Sequence, residues 1–324
     1  GPRSATESDI RRQGEASDMT DGGFGDVTED ELRDAFRATD YVADDDIVTT
    51  VLLALRLGRP LLVEGDPGAG KTELAKVLAE GFGTDLVRLQ CYEGLAAENA
   101  LYEWNYTKQL LAVQAEDGGV DDADASVFTE EYLLERPLLE ALSSEGDRPP
   151  VLLIDEVDRA DEEFEALLLE VLSDFQVSIP ELGTVSADQP PVVVITSNRT
   201  RGLSDALKRR CLYLHVEPPS FEKERAIVER KVPELDGAVA AELCAVTQRL
   251  REEPFRKQPG VAETLDWARA VAQLRADDGD EPLSTTEIEH TIGCLLKEVE
   301  DVERVDETLL ETLADAARET RVSE

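Results

Sequence analysis

Pro60-Leu61-Leu62-Val63-Glu64 runs directly into Gly65-Asp66-Pro67-Gly68-Ala69-Gly70-Lys71-Thr72, and the rest of the chain is read outward from this segment. A short apolar run that stops at glycine, a glycine-rich turn and then a helical pattern from Lys71 to Glu80 is a strand, loop and helix in sequence. Residues 65–72 satisfy G-x-x-x-x-G-K-[ST] in full. The glycines let successive backbone N–H groups turn inward on phosphates. Lys71 can reach β and γ oxygens, and Thr72 can offer its hydroxyl to Mg2+. The pattern predicts that Gly65, Asp66, Pro67, Gly68, Ala69, Gly70, Lys71 and Thr72 cradle a nucleoside triphosphate.

The second half of such a site is expected at the end of another buried strand. Val151-Leu152-Leu153-Ile154 is fully apolar and ends in Asp155-Glu156. An aspartate there can hold magnesium, through water, with Thr72 as the other protein ligand. The adjacent Glu156 is placed to polarise an attacking water.

Further apolar runs at 86–90, 192–196 and 211–216, alternating with helical patterns, predict a five-stranded, mostly parallel sheet covered on both faces by helices. The reading continues with helices at 31–41, 47–57, 97–115, 133–142 and 203–210, and one placing Phe164, Leu167, Leu168 and Val171 on a single face. A hairpin is expected at 175–187 around Pro180-Glu181-Leu182, and a solvated acidic loop at 116–131. Pro218-Pro219 marks a boundary, after which helical periods cover 221–231, 236–251, 261–276 and 285–298. The domain expectation is a flexible acidic tail at 1–30, an α/β nucleotide-binding domain at 31–217, an all-helical domain at 218–297 and an acidic amphipathic helix at 298–324. Val299, Val302, Val305, Leu309 and Leu313 supply the apolar stripe of that last helix.

Composition narrows the function classes. The 324 residues carry 72 Asp and Glu against 33 Lys and Arg, a formal charge of -39. Such a chain repels phosphate backbones and anionic lipid surfaces, which argues against a nucleic-acid motor and against stable membrane insertion. No run of 18 apolar residues occurs, and a hydrophobic content of 41% excludes a wholly disordered chain. The acids are spread along the whole length and the charge resembles that of halophile cytoplasmic proteins, in which concentrated salt screens self-repulsion. Cys91, Cys211, Cys244 and Cys294 are scattered and there are two histidines, so neither zinc-ribbon spacing nor a disulfide framework is present. A cytoplasmic location follows as the expectation.

The order of 65–72, Asp155-Glu156, Asn198 after the strand at 192–197, and Arg209-Arg210 before the next strand resembles the AAA+ ATPases. Within them the chain resembles the MoxR-like group, ring-shaped molecular chaperones. The segments RLQCYEG (88–94), ALYEWNY (100–106), LLERPLLEAL (133–142), LLIDEVDRADEEFEALLLEVLSDFQVSIPELGT (152–184), VVITSNRTRGLSDALKRRCLYL (193–214) and PGVAETLDWARA (259–270) are similar to the accessory ATPases of carbon monoxide dehydrogenase maturation. The resemblance, which covers about 45–275, implies an AAA+ module with a C-terminal helical lid, ATP and Mg2+ as ligands, and assembly as a homo-hexamer. It further implies a von Willebrand factor A-domain partner and a client metalloenzyme or other protein complex.

By the same resemblance, Asn198 orients the lytic water and reads the γ-phosphate. Arg210, or its neighbour Arg209, is the finger that enters the next subunit's site. One departure is plain: Gly260-Val261-Ala262-Glu263-Thr264, where many relatives carry a γ-phosphate-sensing arginine, has none, and Arg269 lies further along. Tyr92, Tyr102, Trp104 and Tyr106 fall in the group's insertion and can serve either as client-gripping elements or as local core. The hairpin at 175–187 is left between the same two roles. A gas-vesicle or Rubisco-associated client, a nucleic-acid motor and a non-hydrolysing scaffold are the alternatives.

Overall fold

The computed structural model describes residues 23–107, 133–179, 183–275 and 281–322. The first elements are α1 (Glu29–Ala38) and α2 (Asp45–Leu57). Thr28 and Glu31 start α1 with reciprocal side-chain-to-backbone bonds, an arrangement that contributes about 1 kcal/mol. Phe24 and Val27, ahead of α1, are buried in the core, so the predicted tail at 1–30 is anchored by its last residues. Residues 1–22 of that tail lie outside the described residues.

Five strands form the central sheet: β1 (Leu61–Gly65), β2 (Leu86–Gln90), β5 (Val151–Asp155), β8 (Val192–Ser197) and β9 (Leu212–Val216). Their spatial order is β2-β5-β8-β1-β9, with every neighbouring pair parallel. Because side chains alternate along a strand, the central three feed two cores at once. Leu62, Leu152, Ile154, Val193 and Ile195 face one side, and Leu61, Val63, Val151, Leu153 and Val194 the other. The second side is covered by α1, α2 and α3 (Lys71–Phe82). The first is covered by α5 (Pro137–Leu142), α6 (Glu162–Asp174) and α7 (Asp205–Arg210), preceded in the chain by the single turn α4 (Ala97–Ala100).

Two predicted helices are corrected. Of the predicted helix at 97–115, residues 97–100 and 106–107 are helical, with an extended stretch between them. That stretch is β3 (Tyr102–Trp104), paired antiparallel with β4 (Leu133–Glu135), and 108–115 lie outside the described residues. Trp104 is buried and meets Tyr102 edge to face, which favours the pleated pairing. The expected helix at 133–142 begins only at Pro137, because Pro137 excludes α geometry from Arg136, which is extended. The acidic segment 116–131 and the turn 180–182 also lie outside the described residues. The hairpin flanking that turn is present as β6 (Gln176–Ile179) and β7 (Gly183–Ser186), with Val177 and Ile179 inside the core.

After Pro218-Pro219 every regular element among the described residues is helical: α8 (Phe221–Lys231), α9 (Gly237–Arg251), α10 (Val261–Leu274), α11 (Thr285–Thr291), α12 (Val299–Val302) and α13 (Glu307–Val322). Their apolar faces share one core around Trp267, Leu243, Leu250 and Val271. The segment 298–324 is not one continuous helix. It breaks between α12 and α13; Val299 and Val302 face solvent, and Leu310, Leu313, Ala314 and Ala317 form the stripe that packs along α9. The helix expected at 285–298 also breaks early, at a 3-10 turn over Ile292–Cys294.

Candidate active site

The loop 65–70 joins β1 to α3 at the C-terminal edge of the sheet, where Gly68 and Gly70 adopt φ of 81° and 86° that only glycine takes without strain. Lys71 is buried at the helix start. Its Nζ donates to the carbonyls of Gly65 and Asp66, at 2.8 and 2.7 Å. Burial pushes the ammonium's pKa down, while Asp158, Asp66, Asp155 and Glu156 act to raise it. The Asp66 side chain turns away from Lys71 to pair with Arg199 at 3.0 Å.

Asp155, at the end of β5, is 2% exposed. Its Oδ1 accepts from Thr72 Oγ1 at 3.0 Å and Thr196 Oγ1 at 2.6 Å, and its Oδ2 from Arg88 Nη2 at 2.6 Å. Since the Thr72 hydroxyl gives its proton to Asp155, its lone pairs are free for a hard cation. Among the described residues no cluster of three or more His, Cys, Asp or Glu has metal-binding geometry. Two protein oxygens completed by phosphates and water therefore fit Mg2+, which is rarely caged by protein alone.

Glu156 follows in a left-handed conformation, φ 56°, and strain of this kind concentrates at functional sites. Its Oε1 accepts from Asn198 Nδ2 at 3.3 Å. Its Oε2 accepts from Gln90 Nε2 at 3.2 Å and from Arg159 Nη1 at 3.1 Å. Asn198 is fixed from behind: its backbone N–H donates to Asp158, as do the Thr200 N–H and hydroxyl. Burial acts to raise the Asp158 pKa, but these hydrogen bonds together outweigh it and hold the carboxyl below its ordinary value.

A cleft of about 480 Å³ runs from residues 67–72 to Asp155, Glu156 and Asn198. Its other walls are Tyr41 and Ile47 from the N-terminal segment and Leu265 and Arg269 from α10. Gly260–Thr264 presents no arginine, but Arg269 lines this cleft, beside Asp266 at 3.3 Å. The helical region meets the loop backbone to backbone: Val261 N–H donates to Gly68 O at 3.2 Å, and a Cβ on Gly260 would stand 2.8 Å from Gly68 Cα.

Arg209 and Arg210 are not part of this gathering. They end α7 at the opposite, N-terminal edge of the sheet, exposed, with Arg210 Nε on Ser173 Oγ at 3.2 Å. Arg59, just before β1, donates to the carbonyls of Arg209, Arg210 and Cys211 and pins that helix end. Of the aromatic residues, Tyr92 and Tyr106 are exposed and Trp104 is core. Sequence reading missed Arg88, Gln90, Asp158 and Thr196. Arg88 and Gln90 sit two apart at the end of β2 and both face the site, but only from the strand that the fold places beside β5.

Residues 60–211 match the family model for the AAA domain, dynein-related subfamily. An uncharacterized protein of Staphylococcus haemolyticus is 25% identical over 242 residues, 72% of this chain and 84% of that protein. One of Staphylococcus aureus is 27% identical over 225 residues, 67% of this chain and 77% of its own length. A Lon protease of Halothermothrix orenii is 32% identical over 119 residues, which are 35% of this chain and 12% of the protease. Among solved structures, the RuvB Holliday junction branch migration motor of Thermotoga maritima aligns with TM-score 0.47 and 21% identity, covering 86% of this chain and 76% of that one. No helix among the described residues is long and apolar enough to cross a membrane. With its parallel sheet, phosphate loop and helical C-terminal region, the chain has the AAA+ P-loop fold, and within it residues 60–211 are similar to the AAA domain of the dynein-related subfamily.

Proposed function

We propose that this chain binds ATP with Mg2+ and hydrolyses it at sites completed by a neighbouring copy in a ring, as a MoxR-type chaperone that remodels a client protein complex. The observation that carries the reading is a division of labour. Lys71, Thr72, Asp155, Glu156 and Asn198 meet at one edge of the sheet, and Arg210 stands exposed at the other. Loop amides and Lys71 would hold the phosphates, and Thr72 and Asp155 the metal, which would supply positive charge to offset that of the phosphates. Glu156 takes the proton of the attacking water, and Asn198, bonded to the same carboxylate, orients that water. Arg210 of one copy neutralises transition-state charge in the next copy's cleft, with Arg209 as the neighbouring candidate. The client in this reading is a metalloenzyme of the carbon monoxide dehydrogenase type, reached with a von Willebrand factor A-domain partner by a hexameric ring. The charge of -39 favours a protein client over nucleic acid.

The test is subunit mixing. Glu156→Gln slows turnover by about 10²- to 10⁴-fold with nucleotide binding retained, since it removes water activation and little ground-state contact. Arg210→Ala is inactive alone and still binds nucleotide. Mixed one to one, the two variants form some interfaces with an intact Glu156 facing an intact Arg210, and part of the ATPase rate returns. No return despite subunit exchange, followed with labelled protein, overturns the shared site.

A further inference from the structure

Both oxygens of the Asp155 carboxylate are already engaged. Two hydroxyls, from Thr72 and Thr196, hold Oδ1, and the Arg88 guanidinium holds Oδ2 at 2.6 Å. A buried carboxylate needs a compensating charge. Of the other cations at this end of the sheet, Lys71 gives two of its three N–H donors to the carbonyls of Gly65 and Asp66, Arg159 pairs with Glu156 and Arg199 with Asp66. The direct ion pair therefore comes from Arg88, and its side chain differs from the acid it serves: Asp155 is 3% exposed and Arg88 49%. The guanidinium reaches in from β2, the edge strand of the sheet, with its second recorded bond going to Gln90 Oε1 at 2.8 Å. It can swing back into solvent without opening the core, whereas a buried partner would be locked in place.

We propose that Arg88 is the resident counter-cation of Asp155, a positioning residue that holds the carboxylate in its metal-ready orientation and yields part of that charge when Mg2+ enters with the nucleotide. Arg88 thereby sets how strongly magnesium and nucleotide binding depend on each other. This rests on the nucleotide-binding reading above. Two cations that share one carboxylate weaken each other's hold, and at the separations of this site a unit charge alters binding by tenfold or more even at the effective dielectric of a protein surface. Without Arg88, the bare Asp155 charge repels the phosphates in chelator and attracts the metal more strongly when it is present.

The experiment measures binding by calorimetry and does not depend on turnover. The full chain is titrated with a β,γ-imido ATP analogue, once in chelator and once in saturating Mg2+, at fixed salt. The quantity read is the factor by which Mg2+ tightens binding. In Arg88→Met this factor rises about tenfold over the parent chain. Arg88→Lys, which keeps the charge, stays within about twofold of the parent, and Arg88→Gln, which keeps a donor without charge, follows Met. An unchanged factor in Arg88→Met, or rescue by Gln and not by Lys, overturns the proposal. If the Met variant does not fold, the Lys and Gln pair decides the matter alone. A parent chain that binds no analogue under either condition instead defeats the nucleotide-binding reading itself.

Discussion

Two regions of this molecule bury acidic side chains, and they treat them in opposite ways. In the helical region Glu224 is 0% exposed. It receives both terminal nitrogens of Arg251, the hydroxyl of Thr264 and the amide of Gln248, so α8, α9 and α10 are riveted through one carboxylate. At the sheet edge Asp155 is as deeply buried, yet its acceptors meet two hydroxyls and a half-exposed arginine. The lesson is that burial of an acid does not by itself distinguish structure from chemistry. What separates the two is whether the compensating partners are fixed or removable.

The comparison breaks most visibly if the two acids are replaced. Glu224→Ala leaves Arg251 buried without its partner and lowers unfolding free energy by about 3–5 kcal/mol, read from urea denaturation. Asp155→Asn keeps the shape of the side chain and costs about 1–2 kcal/mol, but removes the Mg2+ dependence of nucleotide binding. Equal stability losses at the two positions would show that the sheet-edge acid is as structural as the helical one.

A second, smaller effect is expected where the regions touch. In Gly260→Ala the new methyl falls 2.8 Å from Gly68 Cα and 2.9 Å from Gly68 O, both backbone atoms that cannot turn aside. The helical region backs away at a cost of about 1–3 kcal/mol. Nucleotide affinity falls several-fold in the same variant, measured by fluorescence of a labelled analogue. Retained affinity would mean that the cleft does not need α10 against the loop.

The smallest effects concern pH, and they have opposite signs in the two regions. Asp158 at the sheet edge is held below its ordinary value of 3.8, so the folded state binds its proton less tightly than the unfolded chain. Its contribution is present above that value and is lost as pH falls through the lower, folded one. Burial raises Glu242 in the helical region above 4.5, against the Leu283 N–H and Arg321, so its contribution is greatest in acid and is lost as pH rises through the raised value. Urea midpoints taken between about pH 3 and 7 therefore lose an acid-side decline in Asp158→Asn and an alkaline-side decline in Glu242→Gln. Parallel profiles for both variants would remove the distinction.

Much of this arrangement was legible in the sequence because it rests on local rules. A phosphate loop needs glycine at fixed spacing, and a strand buried on both faces must be continuously apolar, so 61–65, 65–72 and 151–156 could be read directly. Illegible were features set by partners far away in the chain. Tyr102–Trp104 is a strand only because Leu133–Glu135 lies opposite, and Val299 and Val302 lose their place in the terminal stripe to Leu310 and Ala314. Within the site, the loop, Asp155, Glu156 and Asn198 were read and came together, whereas Arg88 and Gln90 act from a neighbouring strand that carries no motif. Strand adjacency, which puts β2 beside β5, is a tertiary fact, and without it two polar residues at a strand end read as ordinary surface.

Arg59 gives the sheet one more property. Its guanidinium grips the carbonyls of Arg209, Arg210 and Cys211, and Pro60 O accepts from Leu212 N–H, so the start of β1 is fastened to the base of the exposed arginines. The far end of the same strand is Gly65, whose carbonyl holds Lys71. On the ring reading proposed above, this strand, five buried residues and roughly 13 Å long with Leu61–Glu64 paired on both sides, spans from the phosphate loop to the arginines that face a neighbouring copy. In that reading one strand, and no loop, joins a subunit's own site to the contact it makes with the next.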